Sequence, residues 1–473
     1  MRNNDGVATH GEYSRKWSNG AWASLVLIAF AACLLPANAQ APAGESVGAR
    51  PAVHLTLSRA VEMGMQHNRH LTLARLAADE SREKRAIAQA PYYPHIANES
   101  NALYLTDLEG VVFPAGAFGY SASTGLIPNQ TLRIGQGAQD AFTSGTGLVQ
   151  PITQIFKIHA GSKAAEADVK TAEIAEKDSE NSISLLVHKL YFAMLTAGAR
   201  LSAAKQSVAA ASIVEQESIR AVADGRSLEV DTLEDHATLL DQQQSVLKVQ
   251  LSLDDLTLQL DDALGLPLGT KLILDPNIDA DSPTLPSRSE AIAMARDRNP
   301  KVLEAQQSVE KAKAGLAAAR AAYIPDISGL ARYSYQSGVP FLVHSFGTFG
   351  GNLSYDLFDG GAREFRLKQA KIQLEMARTQ LDQTVADIAI EISAAYDQVD
   401  ELHQLVAVAS EALKARMEAA RISVQRQQQN AELPSGVAKS QAVVSAANAS
   451  LLEAQLGLYL AENSIQQMLG VRP

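Results

Sequence analysis

The sequence feature that most constrains the fold is a seven-residue repeat in the second half of the chain. Apolar residues recur there in steps that alternate between three and four: Val385, Ile388, Ile392, Ala395, Val399, Leu402, Val406, Ala409 and Leu413. This period of 3.5 residues is typical of a helix whose apolar seam faces a supercoiled neighbour. No Gly or Pro interrupts residues 362–428, which would form a helix roughly 100 Å long at about 1.5 Å per residue. The pattern disfavours one compact core of ordinary helices, and a free dimeric coiled coil is the simplest alternative.

A second constraint is that the chain repeats itself. Segments near the start of each half match at an offset of 231 residues, and segments near the end match at an offset of 205. The matched pairs include Asn68 with Asn299, Tyr191 with Tyr396, Leu228 with Leu433, and Leu264-Gly265 with Leu469-Gly470. The offset changes because the first half carries a longer insertion between residues 97 and 150.

Each half predicts the same order of elements: a helix of moderate length, two strands, a very long helix and a return helix. The long helices are predicted at residues 153–222 and 362–428. The predicted domains are a signal peptide at 1–39, a first repeat at 40–265, a connector at 266–288 and a second repeat at 289–473.

The N-terminus has the pattern of a signal peptide. Arg15 and Lys16 precede an apolar run at residues 21–35, and Ala37-Asn38-Ala39 supplies a small-x-small cleavage site. The run is shorter than the ~20 residues that a spanning helix needs. No later stretch reaches 18 consecutive apolar residues, so helices are not expected to cross the membrane. Cleavage before Cys33, the only cysteine, with lipidation of that residue, is the alternative.

The segments between the helices alternate as strands do. Residues 327–336 and 349–357 place apolar side chains on one face and small or polar ones on the other, as in outer-membrane strands between lipid and water. Residues 106–143, rich in Gly and Pro, are predicted to form a long exposed loop. Four strands cannot close a barrel and lipid does not tolerate open edges, so several chains would share one barrel. A soluble hairpin is the alternative.

Composition and motifs argue against catalysis and nucleic-acid binding. The formal net charge of −11 disfavours a polyanionic partner. His67 and His70 lie three residues apart without a third ligand nearby in sequence, so no metal is expected. No nucleophile–base arrangement or phosphate-binding loop is found. The sequence therefore predicts no enzyme activity and no cofactor.

These features together resemble the TolC-like outer-membrane factor family, the outer membrane efflux proteins. The resemblance covers about residues 55–470. It depends on the duplication, on the order of the elements, on Asn299-Pro300, and on three local segments: Leu357-Phe358-Asp359-Gly360-Gly361-Ala362-Arg363 at the strand-to-helix junction, Gln150-Pro151-Ile152 at the matching place in the first half, and Gly225-Arg226-Ser227-Leu228-Glu229-Val230-Asp231 between the long and return helices.

The resemblance implies a mixed α/β membrane protein. A homotrimer would share a 12-stranded outer-membrane β-barrel, in contact with outer-membrane lipid, that is continued by a long periplasmic α-helical barrel, with two structural repeats per chain. It further implies an efflux or type I secretion channel that conducts passively. Its partners would be a periplasmic adaptor protein and an inner-membrane transporter, and it would lie in the outer membrane with a large periplasmic part.

The candidate site residues lie where the long helices turn back, at what the resemblance makes the periplasmic tips. Three copies of the acidic residues at the first tip would form a ring of negative charge that could close by pairing with Arg226. Gly225, Leu228 and Leu433 are candidates for adaptor contact, because an apolar side chain on an exposed turn favours a partner. The tip and gate candidates are Asp224, Gly225, Arg226, Leu228, Glu229, Asp231, Asn430 and Leu433.

Two other interpretations remain open for these patterns. The acidic residues at the first tip would equally suit a solvated helix N-terminus. The two tips should differ, because Gly225 becomes Asn430 and Asp231 becomes Gly436. For the whole chain, an exported coiled-coil scaffold without a pore is the alternative, although a scaffold does not require two-faced strands.

Overall fold

The computed structural model describes residues 53–135, 137–276, 284–338 and 343–472. The predicted signal peptide, the alternative lipidation site Cys33 and part of the predicted connector lie outside these residues. The first elements of the described chain are β1 (Val53–Leu55), α1 (Leu57–His67), α2 (Arg69–Gln89), β2 (His95–Tyr104), β3 (Gly110–Phe113), β4 (Tyr120–Ser121), β5 (Gly125–Leu126), β6 (Leu132–Gly135), β7 (Asp140–Pro151), α3 (Ile155–Ala223) and α4 (Glu229–Leu264). The later elements are β8 (Leu272–Leu274), α5 (Arg288–Arg298), α6 (Pro300–Ala321), β9 (Asp326–Ser337), β10 (Ser345–Ser354), α7 (Ala362–Gln428) and α8 (Pro434–Met468).

Two hydrophobic cores occupy equivalent places in the two halves. The first contains Val187, Leu260 and Leu264, and the second contains their counterparts 205 residues later, Ile392, Ile465 and Leu469. All six side chains are buried. In α7 the buried residues Ile388, Ile392 and Val399 belong to the predicted seam. The seam of α7 therefore packs inside its own chain against the return helix, and the two equivalent cores show that the duplication seen in the sequence is present in the packing.

The prediction of one moderate helix at the start of each half is wrong, because an asparagine divides it. Asn68 separates α1 from α2 with an extended backbone, and its side chain accepts hydrogen bonds from the N–H groups of His70 (2.9 Å) and Leu71 (3.3 Å). Asn299 divides α5 from α6 in the same way. An asparagine that caps the next helix from outside it competes with continuation of the first helix.

One antiparallel sheet combines strands from both halves in the order β10-β9-β7-β2. The second strand of the second half was predicted at residues 349–357, whereas β10 covers Ser345–Ser354. Ser354 pairs with Asp326, the first residue of β9. No partner strand remains beyond this pair among the described residues, so the chain leaves the sheet after Ser354. Arg363 then fixes the turn, because its guanidinium donates to Asp359 Oδ2 (3.1 Å) and to the carbonyl of Asp356.

The predicted long loop at residues 106–143 is more ordered than expected. It contains two small hairpins, β3 with β6 and β4 with β5, and its last residues belong to β7. Branched and aromatic residues such as Val111, Phe113 and Ile134 supply strand preference within a segment otherwise dominated by Gly and Pro. Composition alone conceals such short strands.

The segments that flank the helices are held by two equivalent tyrosines. Strands β1 and β8 form a parallel pair. The Tyr191 hydroxyl lies 2.9 Å from the carbonyl oxygens of both Leu55 and Asp275, and the Tyr396 hydroxyl donates to the carbonyl of Pro286 at 2.7 Å. Both tyrosines lie on long helices, and their hydroxyls hold the neighbouring connecting segments by hydrogen bonds to backbone carbonyls.

One described helix, α3, is long and apolar enough to cross a membrane by length and composition alone. However, 56% of the apolar stretch is buried within the chain. Burial of this kind is typical of a helix in the core of a folded protein.

Candidate functional site at the helical tips and unpaired faces

The first tip, where α3 turns back into α4, is built on a left-handed glycine. Gly225 has φ 68°, and its N–H donates to the carbonyl of Val222 at 2.9 Å. The N–H of Arg226 donates to the carbonyl of Ala221 at 2.8 Å. These two bonds form a Schellman motif, which satisfies carbonyls at the end of a helix.

The second tip, where α7 turns back into α8, has the same backbone. Asn430 takes the left-handed conformation with φ 57°, and its N–H donates to the carbonyl of Gln427 at 2.9 Å. The N–H of Ala431 donates to the carbonyl of Arg426 at 2.8 Å. Asparagine is the residue after glycine that best tolerates this conformation. The difference between the tips expected from the sequence is therefore confined to side chains.

At the first tip the acidic candidates have separate local partners. Asp231 Oδ2 accepts hydrogen bonds from Ser227 Oγ (2.5 Å) and from the N–H of Leu228 (3.0 Å). The Ser227 bond, followed by the backbone bond, lowers the pKa of Asp231. Asp224 forms an ion pair with Arg226 at 2.7 Å. Glu229 is exposed in the first turn of α4. Arg226 therefore pairs with an acid of its own chain, and closure of a three-chain acidic ring through Arg226 stays a prediction.

At the second tip a different carboxylate, that of Glu432, accepts the local hydrogen bond. Gly436 occupies the place of Asp231, and Ser423 Oγ donates to Glu432 Oε1 at 2.7 Å. A Cβ atom on Gly436 would lie 2.5 Å from that same oxygen. Pro434 begins α8, a position where the missing N–H costs nothing. The exposed leucines Leu228 and Leu433 stand at equivalent places beside the two turns.

Sequence reasoning missed Glu217, which joins the two tips. This residue lies in α3, and its Oε1 accepts a hydrogen bond from the backbone N–H of Ser435 in the first turn of α8, at 3.0 Å. A carboxylate stabilises a helix N-terminus through the exposed N–H groups. No local sequence signal could have found it, because the two residues are 218 positions apart.

Metal binding has no support among the described residues. No group of three or more His, Cys, Asp or Glu side chains there is placed to hold a metal ion. His67 ends α1 and His70 lies in the first turn of α2, on opposite sides of the break at Asn68.

The two long helices differ in how much of their surface is covered. Helix α3 packs against α2 and α4 of its own half and against α6 and α8 of the other half, whereas α7 packs mainly against α6 and α8 of its own half. Ala203 in α3 is 7% exposed, and its counterpart in α7, Val408, is 67% exposed. Leu456 in α8 is 7% exposed, and its counterpart in α4, Leu251, is 70% exposed. Two apolar helix faces are therefore unpartnered within the chain.

The sheet shows the same incompleteness. In the described residues β9 and β7 each have two neighbours, while β10 and β2 each pair along one edge only. An unpaired edge presents a row of N–H and C=O groups to its surroundings.

Comparison with known proteins gives one family and a set of similar structures. The model of the family described as outer membrane efflux protein matches residues 60–266 and 291–471. The comparison with curated proteins finds no match. Among solved structures, CusC, which forms a transmembrane channel, is 19% identical with a TM-score of 0.69, and the match covers 88% of this chain and 92% of that one.

Two further structures are similar to the same extent. The CmeC outer membrane channel of Campylobacter jejuni has a TM-score of 0.71 and 15% identity, with 88% of this chain and 85% of that chain covered. The MtrE outer membrane channel of Neisseria gonorrhoeae, in its open state, has a TM-score of 0.67 and 17% identity, with 88% and 89% covered. At these identities the likeness establishes the fold.

Proposed function

The chain belongs to the outer membrane efflux protein family, and we propose that it forms the outer-membrane channel of a tripartite efflux or type I secretion system. In this proposal three copies share a 12-stranded β-barrel that continues into a periplasmic tunnel of long helices. The channel conducts passively, and energy comes from an inner-membrane transporter joined to it by a periplasmic adaptor. No enzymatic step is assigned to the chain.

One observation carries the proposal: within the chain each repeat packs against the other through one side, and its opposite side remains uncovered. The faces of α7 and α4 that remain exposed are those whose counterparts are buried in α3 and α8. Within the described residues the sheet has unpaired edges at β10 and β2, and open sheet edges do not occur in the lipid core of a membrane. Further copies of the chain would cover both surfaces at once, and ring closure ends the assembly.

The two tips are proposed as the place where the adaptor binds and where the tunnel narrows. Leu228 and Leu433 are exposed apolar side chains on turns with fixed backbones, which suits them to insertion into a partner. Asp224, Arg226, Glu229 and Asp231 would set the charge at the tunnel entrance. Glu217 would hold the two hairpins of one chain together at this end.

Membrane extraction and size measurement test the assembly. We expect the protein to require detergent for extraction from the outer-membrane fraction and to have the mass of three chains by light scattering. Insertion into planar bilayers should give discrete conductance steps. Recovery as a soluble monomer from the periplasm would contradict the proposal, and a detergent-free oligomer without conductance would favour the coiled-coil scaffold.

A pair of variants separates charge from helix capping at the first tip. Asp231→Asn and Asp231→Ala both remove the charge, but only asparagine keeps an oxygen that can accept from Leu228 N–H. If the charge of Asp231 determines ion selectivity at the tunnel entrance, both variants change that selectivity to the same extent, and neutralising Glu229 as well enlarges the change. If Asp231 acts only as a cap, selectivity stays unchanged and hydrogen exchange at Leu228 rises in the alanine variant alone.

A pH titration of the wild-type protein adds a test of the same residue. The pKa of Asp231 is lowered in the folded chain, so the stabilisation it gives is present above its ordinary pKa. It is lost only as the pH falls through the lowered value. Protection of the Leu228 amide should therefore persist through pH 5 and decline at more acidic pH, below the usual aspartate range of about 3.9. Loss of protection near pH 6 would contradict this assignment.

A further inference from the structure

We propose that β10 of one chain pairs with β2 of the next in one defined register, in which Gly351 lies opposite Ala102. The inference rests on the proposed trimer and deepens it by naming the residues that meet between subunits. Two strands of the sheet, β10 and β2, have an unpaired edge within the part of the chain that the structure describes. Antiparallel strand pairing is the interaction that such edges offer to a second copy.

The register within each half is the same when it is moved by the sequence offsets. In the first half His95 lies opposite Val149, and the equivalent residues Asp326 and Ser354 lie opposite each other in the second half. At the other end Tyr104 lies opposite Asp140, as Tyr335 lies opposite Ser345. The two hairpins agree over all ten pairs without slippage. The repeat found in the sequence is therefore kept at single-residue accuracy in the sheet.

The contact between β7 and β9 joins the first half to the second within one chain. In it Thr146 lies opposite Tyr333. In a closed ring of equivalent halves, the contact from the second half to the first half of the next chain repeats this geometry. The residue that lies 205 positions after Thr146 is Gly351, and the residue that lies 231 positions before Tyr333 is Ala102. The predicted contact between chains thus has no adjustable register.

The same operation fixes two neighbouring pairs, one on each face of the sheet. Ser144 opposite Tyr335 becomes Phe349 opposite Tyr104, and Gly147 opposite Arg332 becomes Asn352 opposite Asn101. The first pair would be a cross-strand aromatic contact, and the second would join two amides.

Side-chain chemistry favours this register over a slip by one residue. Phe349 and Tyr104 are both exposed in the single chain, and aromatic residues directly opposite each other stabilise a strand pair. Asn101 and Asn352 lie on the other face, which also carries the ion pair of Glu99 with Arg332 at 3.2 Å. A slip by one residue would break this aromatic pair. Phe349 would then lie opposite Leu103 or Leu105, and Tyr104 would lie opposite Thr348 or Gly350.

Disulfide cross-linking of the assembled full-length protein tests the register. Residues directly opposite in an antiparallel pair have Cα atoms about 4.5–5.5 Å apart, within the disulfide range of roughly 4.4–6.8 Å. Diagonal neighbours lie about 7–8 Å apart. Ala102→Cys is combined in turn with Phe349→Cys, Gly351→Cys and Leu353→Cys, and each double variant is oxidised in membranes and run on a non-reducing denaturing gel. Single-cysteine variants control for Cys33.

Of the three variants that contain Ala102→Cys, only the one with Gly351→Cys should give a strong ladder of covalent dimer and trimer, about tenfold stronger than either diagonal pair. Asn352→Cys with Asn101→Cys, on the other face, should give the same ladder. A native trimer that cross-links best through Phe349→Cys or Leu353→Cys would overturn the register while leaving the proposed channel in place. A protein that is monomeric by light scattering and gives no ladder from any pair would overturn the channel assembly as well.

Discussion

We expect Val408→Asp to abolish assembly of the trimer while leaving the single chain folded. Val408 is 67% exposed on α7, so a carboxylate there meets water in the monomer. Its counterpart Ala203 is buried in α3, which places Val408 inside a contact between chains in the proposed ring. An unpaired charge buried in an apolar interface costs several kcal/mol per site, and the ring contains three such sites.

The matched control is the adjacent residue. Ala407 is exposed, and its counterpart in α3, Ser202, remains exposed although α3 has neighbours from both halves. Ala407→Asp should therefore leave the trimer intact. Light scattering in detergent, with circular dichroism to confirm helix content, distinguishes the two variants. A trimeric Val408→Asp, or equal loss of assembly in both variants, would mean that this face of α7 does not contact another chain.

The long helices are the part of this fold that the sequence predicts best. The second was predicted at residues 362–428, and α7 occupies those residues. The reason is local: no Gly or Pro interrupts the helix, and Gly360 and Gly361 both have the left-handed φ that a helix does not continue through. The first, predicted at 153–222, differs by one or two residues at each end from α3, where no such glycine pair marks the start.

The breaks at Asn68 and Asn299 could not be predicted with the same ease. An asparagine within an apolar periodic segment is tolerated in many helices, and no local signal marks the break at Asn68. At Asn299 a local signal exists, because Pro300 follows it and proline is favoured at the first position of a helix. The structure shows what decides: the Asn68 side chain donates to the carbonyl of Ala263 at 3.0 Å, and that of Asn299 donates to the carbonyl of Met468 at 2.8 Å. The partner of each amide is about 170–195 residues away in sequence, so the break depends on tertiary packing.

The tips illustrate a second limit. The sequence identified the turns, and their exposed leucines, from composition and from the resemblance. It indicated a difference between Gly225 and Asn430 where the backbones are the same, because two residue types can adopt one left-handed conformation. It gave no sign of Glu217, whose role depends on the approach of one hairpin to the other.

The corner where each return helix ends is the most sterically restricted place among the described glycines with positive φ in the helical part. Gly265 follows α4 with φ 69°, and an added Cβ would lie 2.8 Å from both Cβ and the carbonyl oxygen of His67. Gly470 follows α8 with φ 70°, and an added Cβ would lie 2.5 Å from the carbonyl oxygen of Arg298. Both glycines thus let the end of a return helix touch the end of the short helix before Asn68 or Asn299.

Replacing either glycine with alanine should destabilise the folded chain strongly. The left-handed conformation costs a residue with a Cβ roughly 1–2 kcal/mol. The clash with backbone atoms, which cannot rotate away as a side chain would, adds about 1–3 kcal/mol. Gly269 provides the control, because it has φ 78° but no atom within 4 Å of an added Cβ, so Gly269→Ala carries the conformational cost alone.

Thermal unfolding of the detergent-solubilised protein, followed by circular dichroism, measures the order of these effects. We expect Gly470→Ala to lower the melting temperature most, Gly265→Ala nearly as much, and Gly269→Ala least. The two corners lie in separate cores, so the double variant Gly265→Ala, Gly470→Ala should show the sum of the single effects, as independent distant sites do. Equal melting temperatures for Gly265→Ala and Gly269→Ala would show that the return helix does not need close approach to His67, and that the conformation of the turn alone requires glycine.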